Sequence, residues 1–169
     1  MQTLLEKINP WLARQHAENY QVKSLQSANG GYSNITLVGE LTHHHGNGPG
    51  IVVRIQPEGA AVFPDCDVRA QYQTMHLLKQ AGMPVPSLLG LEMDPSVLGS
   101  PFFVMSRIEG QVPNENPLYH LEGWFNDLKP EEIKQCWFSG IEGIGKLAKL
   151  DWQSAGFQFL LPPQGQTAL

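Results

Sequence analysis

Hydrophobic and polar positions alternate along the first two thirds of the chain in a pattern that predicts a sheet flanked by helices. Short apolar runs bounded by turn-forming residues predict five strands, over residues 20–28, 34–41, 51–56, 87–93 and 101–108. Apolar residues at helical spacing predict helices over residues 2–18, 68–81 and 130–150. The first helix is either continuous or broken into two at Asn9-Pro10. Short hairpin connections exclude parallel pairing, so we expect an α+β fold with a five-stranded antiparallel sheet and the helix around Tyr72 on one face.

The remaining segments are predicted as connections. Residues 42–50, rich in glycine and containing three adjacent histidines, are predicted to form a solvated hairpin loop. A metal site there is disfavoured, because neighbouring loop residues rarely converge on one ion and no thiol or carboxylate stands close by. Residues 114–126 are predicted to be irregular with one short helix. Asp65 or Asp67 is expected to cap the second helix, and Gly82 to end it.

The last helix carries an apolar stripe that is predicted to be buried, formed by Ile133, Trp137, Ile141, Ile144 and Leu147. The same helix contains Gly140 and the pair Gly145-Lys146, which match the spacing of a phosphate-binding P-loop. However, Leu147 stands where a P-loop has Ser or Thr, and no apolar strand precedes Gly140. We therefore predict a helix here and not a P-loop.

Composition and charge argue against several classes of binding partner. A net charge of −5 in 169 residues argues against nucleic-acid or anionic-membrane partners, which need clustered cations. No run is long enough to span a membrane, and residues 1–16 lack the apolar core of a signal peptide. The two cysteines, Cys66 and Cys136, form neither a disulfide framework nor a metal-binding spacing. A reducing cytoplasm is the expected location.

Candidate chemistry begins at the turn between the first two strands. Gly30 and Gly31 allow the backbone to approach a ligand closely, and the free N–H groups of such a turn form a concave anion site. Ser33 and Asn34 add side-chain donors at its rim. An ordinary hairpin turn remains the alternative. The third strand favours the anion site, because Arg54 lies in its middle and its cation can face the same phosphates.

These motifs, in this order, resemble the aminoglycoside phosphotransferase family, which includes choline-kinase-like enzymes and has a protein-kinase-like fold. The resemblance covers residues 20–157 and rests on the following residues: Gly30-Gly31-Tyr32-Ser33-Asn34, Val53-Arg54, Val85-Pro86, Gly99-Ser100-Pro101-Phe102-Phe103-Val104-Met105, Glu109-Gly110 and Asp151-Trp152. It implies a nucleotide-binding small lobe over residues 1–108. Residues 109–169 would be the linker and the first helices of a larger helical lobe.

The resemblance also implies the ligands and their contacts. ATP and magnesium are the expected cofactors, and a small molecule with a hydroxyl group is the expected phosphate acceptor. The implied nucleotide contacts are the glycine loop, the strand-three cation with its helix partner, and the hinge after strand five. They comprise Gly30, Gly31, Tyr32, Ser33, Asn34, Arg54, Gln71, Met105, Ser106, Arg107 and Ile108. The backbone of residues 106–108 is expected to face the adenine, with Met105 shaping the pocket behind it.

Three positions depart from the family pattern. Arg54 replaces the lysine of protein kinases, Gln71 stands where the family has a carboxylate partner for that cation, and Ala148 replaces a histidine. Gln71 accepts a hydrogen bond but cannot neutralise Arg54.

The family's catalytic and magnesium-binding carboxylates follow the Asp-Trp motif, and no acidic residue follows Trp152. We therefore expect a fragment that is inactive alone and can self-associate through its uncovered helix stripe. The alternative is a non-catalytic module that binds a nucleotide or a partner protein. The sequence does not identify the acceptor.

Overall fold

The structure is a computed structural model that describes residues 2–15, 20–28, 34–43, 46–57 and 67–161. Three α-helices, five strands and one 3₁₀ turn make up this part of the chain. In order they are α1 (Gln2–Gln15), β1 (Gln21–Ser27), β2 (Ile35–His43), β3 (Gly46–Ile55), α2 (Val68–Gln80), β4 (Leu88–Glu92), β5 (Phe102–Ser106), α3 (Pro130–Ala148) and the turn Phe157–Leu160.

The five strands form one sheet in the order β1-β2-β3-β5-β4. Every neighbouring pair is antiparallel, which confirms the predicted α+β fold and the sheet direction. The last strand, β5, lies between β3 and β4 and is therefore inside the sheet. Its position agrees with the nearly continuous apolar run of residues 102–105, all of which are buried.

Alternating residues of the strands point to two faces, and each face has its own apolar core. One face packs against α1. Its buried members are Ile8, Trp11, Leu12, Val22, Leu25, Leu37, Leu41, Ile51, Val53, Ile55, Phe102 and Val104. The other face packs against α2, where Val68, Phe103 and Met105 are buried and Tyr72 lies against them. The prediction that the helix around Tyr72 covers one face is confirmed.

The α1 helix continues through Pro10, so the alternative of two short helices is wrong. Its central residue, Trp11, is fully buried, and its ring centroid lies 4.8 Å from that of Phe102. The indole Nε1 donates a hydrogen bond of 2.9 Å to the Glu92 carboxylate on β4. The same ring passes so close to Gly90 that a Cβ there would lie 2.9 Å from it. Tertiary packing thus holds α1 against the sheet despite the internal proline.

The predicted loop over residues 42–50 is wrong in most of its length. Strand β3 begins at Gly46 and β2 reaches His43, with His43 paired to Gly46 and Thr42 to Asn47. Pairing shifts register between Glu40 and Thr42, so the hairpin continues past an irregularity instead of ending there. Backbone pairing therefore overrides the turn-forming tendency of these residues. His44 and His45 lie outside the described residues.

The connection after β5 differs from its prediction as well. Residues 114–126 form a series of turns and contain no helix. The Asn114 side chain organises them, because its Nδ2 donates to the carbonyls of Pro117 at 2.6 Å and Glu122 at 3.1 Å. A side chain that satisfies two backbone carbonyls offers the segment an alternative to helical hydrogen bonds.

The helix signals at the ends of α2 and α3 are confirmed. Asp67 caps α2 by accepting the Arg69 N–H at 2.8 Å, whereas Asp65 lies outside the described residues. Gly82 follows α2 with a φ of +76°, the left-handed conformation that favours glycine. Pro130 is the first residue of α3, and the Glu132 side chain accepts the Lys129 N–H at 2.8 Å.

The apolar stripe of α3 has the spacing of a buried face, but it is largely exposed in the described part of the chain, which agrees with the expectation of an uncovered stripe. Trp137, Ile141 and Ile144 are 54%, 58% and 69% exposed, and no residue of α3 is buried. Trp124 and Phe125 line a cavity together with this face but do not bury it. Its helical form follows from local hydrogen bonds and capping, which do not require a buried face.

Candidate functional site

The strand cation lies on the α2 face of the sheet. Ile51, Val53 and Ile55 of β3 belong to the core on the α1 side. Because strand side chains alternate, Arg54 projects to the opposite face. It is half-buried and stands opposite Thr36 of β2 and Phe103 of β5 in the strand register. The sheet therefore places this cation on the face that packs against α2.

The next site residue marks the end of the glycine loop. Gly30, Gly31, Tyr32 and Ser33 lie outside the described residues, but Asn34 is described and is only 6% exposed. On the other side of the loop, the Ala28 N–H donates to the Thr36 carbonyl at 2.9 Å. The ends of the loop are thus placed at the same end of β2 as Arg54.

Gln71 connects α2 to this loop end. Its Nε2 donates a hydrogen bond of 3.4 Å to Oδ1 of Asn34. Its Oε1 is buried and has no hydrogen-bond partner in the described part of the chain, so Arg54 does not donate to it there. Sequence reasoning assigned Gln71 as the partner of Arg54. In the structure the contact of Gln71 is with Asn34.

The Asn34–Gln71 pair leaves two polar atoms unsatisfied. Nδ2 of Asn34 and Oε1 of Gln71 are buried without a hydrogen-bond partner among the described residues. A buried polar group left unsatisfied costs about 1–3 kcal/mol, and such groups are uncommon in native structures. A phosphate oxygen would satisfy the Asn34 donor and also suit the nearby Arg54 guanidinium, so these residues fit a nucleotide phosphate.

The backbone at the end of β5 and just after it is mostly hydrogen-bonded to neighbouring segments. The Ser106 N–H donates to the Ser87 carbonyl at 2.8 Å, and the Arg107 N–H donates to the Gly50 carbonyl at 2.8 Å. Ile108 is 65% exposed, and its N–H finds no partner in the described residues. Of the three backbone N–H groups in the segment expected to face adenine, that of Ile108 is unpaired within the described residues.

The side chains of Met105 and Arg107 also make contacts within the protein. Met105 is buried in the α2-side core with Val68 and Phe103, behind the segment that follows β5. The Arg107 guanidinium pairs with the Glu109 carboxylate at 2.7 Å. It also covers Gly50 so closely that a Cβ there would lie 2.7 Å from Nε. Arg107 therefore braces the segment after β5 against β3.

Metal-binding groups are dispersed in the described residues, where no three of His, Cys, Asp and Glu are close enough to share an ion. Asp151 of the Asp-Trp motif is used locally instead. The Ser154 hydroxyl donates to it at 2.6 Å and the Ser154 N–H at 3.2 Å. These hydrogen bonds lower the pKa of the Asp151 carboxyl below its ordinary value. Asp151 thus stabilises the turn that follows α3.

The P-loop alternative does not fit the structure. Gly140 and Gly145 lie within α3, and the segment before Gly140 is helical, not a strand. The helical backbone does not form the loop that would cradle a phosphate.

Two large apolar cavities among the described residues lie against α3. One, of about 460 Å³, is lined by Trp124, Trp137 and Ile141 among others. The second, of about 520 Å³, lies between α2 and the end of α3, beside Leu78 and Trp152.

No helix in the described ranges is long and apolar enough to cross a membrane.

Comparison with known proteins supports the assignment suggested by these motifs. Residues 24–167 match the family model described as the phosphotransferase enzyme family. A solved structure of a proposed aminoglycoside phosphotransferase from Ralstonia eutropha JMP134 is similar over 94% of this chain, with a TM-score of 0.64 and 20% identity. At that identity the likeness shows the fold alone.

Two curated relatives match over shorter stretches. Acyl-CoA dehydrogenase family member 11 of Gallus gallus is 29% identical over 111 residues, which is 66% of this chain and 13% of that protein. Acyl-CoA dehydrogenase family member 10 of Mus musculus is 32% identical over 72 residues, 43% of this chain and 7% of that protein. The chain thus spans a small part of these relatives and 42% of the solved structure.

Proposed function

The chain belongs to the phosphotransferase enzyme family, and we propose that it supplies the nucleotide-binding lobe of an ATP-dependent phosphotransferase. The observation that carries this proposal is the arrangement on the α2 face of the sheet. Arg54 and the Asn34–Gln71 pair lie at the end of the sheet where the glycine loop begins and ends. A cation and an unsatisfied buried donor at one place suit a polyphosphate.

Each residue has a proposed role in this site. Gly30, Gly31, Tyr32 and Ser33 cover the phosphates with backbone and side-chain donors. Arg54 bridges two phosphate oxygens, since its planar guanidinium donates in parallel pairs and stays charged.

The base is proposed to lie beside the segment after β5. The exposed Ile108 offers the backbone N–H, and Met105 closes the pocket behind it. Magnesium, when bound, would supply charge neutralisation at the transferred phosphate. We propose that carboxylates beyond residue 169 hold it, because the described residues bring no suitable acidic cluster together.

We further propose that the acceptor is a hydroxyl group of a small molecule and that residues 1–169 alone transfer no phosphoryl group. Phosphoryl transfer requires a residue that orients the acceptor hydroxyl as well as the phosphate clamp. No acidic residue follows Trp152 to take that role, and Asp151 is engaged with Ser154. We also propose that the protein is cytoplasmic and that it self-associates through the exposed face of α3.

Calorimetric titration with ATP tests the nucleotide site. Arg54→Ala should weaken ATP binding by about ten- to hundredfold, because a hydrogen bond to a charged group is worth about 1.5–3 kcal/mol. Arg69→Ala is the matched control, since Arg69 is exposed on α2. The Arg69→Ala variant should bind ATP with unchanged affinity. Equal affinities for the wild-type chain and Arg54→Ala would contradict the proposed site.

A second assay addresses turnover. ATP consumption is measured with mixed hydroxylated acceptors, for residues 1–169 and for a protein extended through the following lobe. We expect turnover only in the extended protein. Turnover by residues 1–169 that Arg54→Ala abolishes would show that the proposed inactivity is wrong. An extended protein that binds ATP without turnover would favour the non-catalytic module.

A further inference from the structure

We propose that Gln71 is a positioning residue for Asn34 at the start of β2, and that it does not act through Arg54. This inference rests on the proposed function, in which Asn34 lies beside the phosphates. It assigns the helix residue a different task from the one its place in the sequence suggests. The side chain of Gln71 reaches Asn34 and fixes the start of β2 to α2.

The first support is the position of Asn34. It is the last residue before β2 and is only 6% exposed, although asparagine is normally a surface residue. Burial of its amide is tolerable only if hydrogen bonds replace those to water. In the described chain the Asn34 side chain has one such bond, from Gln71. Removal of Gln71 would leave the whole amide unsatisfied.

The second support is the firm anchoring of α2 itself. Val68 of α2 is fully buried, and Tyr72 packs edge-on against Phe103 with ring centroids 6.0 Å apart. Gln71 therefore extends from a helix that is fixed to the sheet by its neighbours on both sides. A hydrogen bond from such a helix restrains Asn34 and the start of β2.

The third support is the neutrality of the pair. If nitrogen and oxygen exchange places in both side-chain amides, one hydrogen bond still joins the two residues. One donor and one acceptor then remain without a partner, as before. Neither side chain carries a charge, so the contact does not depend on an ion pair with Arg54. The leftover donor and acceptor are buried without a partner among the described residues, and a phosphate oxygen would satisfy the donor.

Hydrogen exchange of the 169-residue chain tests this inference without a ligand. Gln71→Met preserves length but removes the amide, and we expect the amides of residues 35–37 to exchange about fivefold faster, the effect of a typical hydrogen bond. Gln73→Met is the matched control, because Gln73 is exposed on the same helix. Gln71→Glu should restore protection, since its carboxylate accepts from Nδ2 of Asn34. Strands β4 and β5 should be unaffected in all three variants.

Titration with ATP and with tripolyphosphate gives the functional readout. Gln71→Met should weaken the binding of ATP and of tripolyphosphate by the same factor, about fivefold. Gln71→Glu should recover at least part of the lost affinity for ATP with magnesium. Unchanged exchange at residues 35–37 in Gln71→Met, or equal changes in Gln73→Met, would overturn the inference. A wild-type chain that binds neither anion would overturn the proposed function and the role of Asn34 in it. Exchange would still decide whether the Asn34–Gln71 contact restrains β2.

Discussion

Gly39 provides a sharp test of the sheet that carries the site. It lies in β2 between Leu25 of β1 and Ile51 of β3. The register of β1 shifts between Val22 and Ser24, next to this position. A Cβ at Gly39 would clash with the Ser24 carbonyl oxygen and lie 2.8 Å from Cδ2 of Leu25. Because the nearest atom belongs to the backbone, no rotamer change can relieve the clash.

The expected cost of Gly39→Ala follows from these contacts. Overpacking in a well-packed region costs about 1–3 kcal/mol. Removal of a strand glycine recovers about 0.5–1 kcal/mol of conformational entropy. The middle of each range gives a net destabilisation of about 1 kcal/mol. For a chain of this size each kcal/mol lowers Tm by about 2–4 °C, so Tm should fall by roughly 2–4 °C.

Thermal unfolding followed by circular dichroism measures this change. Gly140→Ala is the control, because Gly140 lies in α3 and a Cβ there would meet no atom within 4 Å. Alanine is favoured over glycine in a helix by about 1 kcal/mol, so this variant should be equally or more stable than the wild type. A Tm for Gly39→Ala equal to or above that of the wild type would refute the register of β1 and β2.

Three further predictions concern the other parts of the chain. Gly140→Ala should leave ATP affinity unchanged, because the glycine is helical; a large loss in calorimetry would revive the P-loop alternative. Ser154→Ala should raise the pKa of Asp151 toward its ordinary value in a carboxyl NMR titration, and an unchanged pKa would contradict the hydrogen-bonded turn. Since the pKa is lowered in the folded chain, these bonds stabilise the fold above the ordinary carboxyl range and are lost as the pH falls through the lowered pKa. Ile144→Glu should reduce concentration-dependent association in sedimentation, because it places a charge on the 69% exposed apolar face of α3. Equal association of variant and wild type would contradict self-association through that face.

Local pattern was a reliable guide wherever one face or one turn decides the structure. The alternation in β3 put Ile51, Val53 and Ile55 on one face, and this parity alone directs Arg54 to the other. The continuous apolar run of β5 indicated an interior strand, because both faces of that strand must be covered. Asp67 and Gly82 acted as helix signals for local reasons, a side-chain cap and a left-handed backbone.

What the tertiary structure decided depends on contacts between residues that are distant in sequence. The Asn34–Gln71 hydrogen bond joins residues 37 positions apart, and neither neighbourhood contains a signal for it. Backbone pairing extended β3 through residues that favour turns, since each paired amide gains a partner that a loop would leave to water. The stripe of α3 has the spacing of a buried face, yet Ile141 and Ile144 are exposed. Spacing shows which residues share a face of a helix, and burial of that face requires a second surface that packs against it.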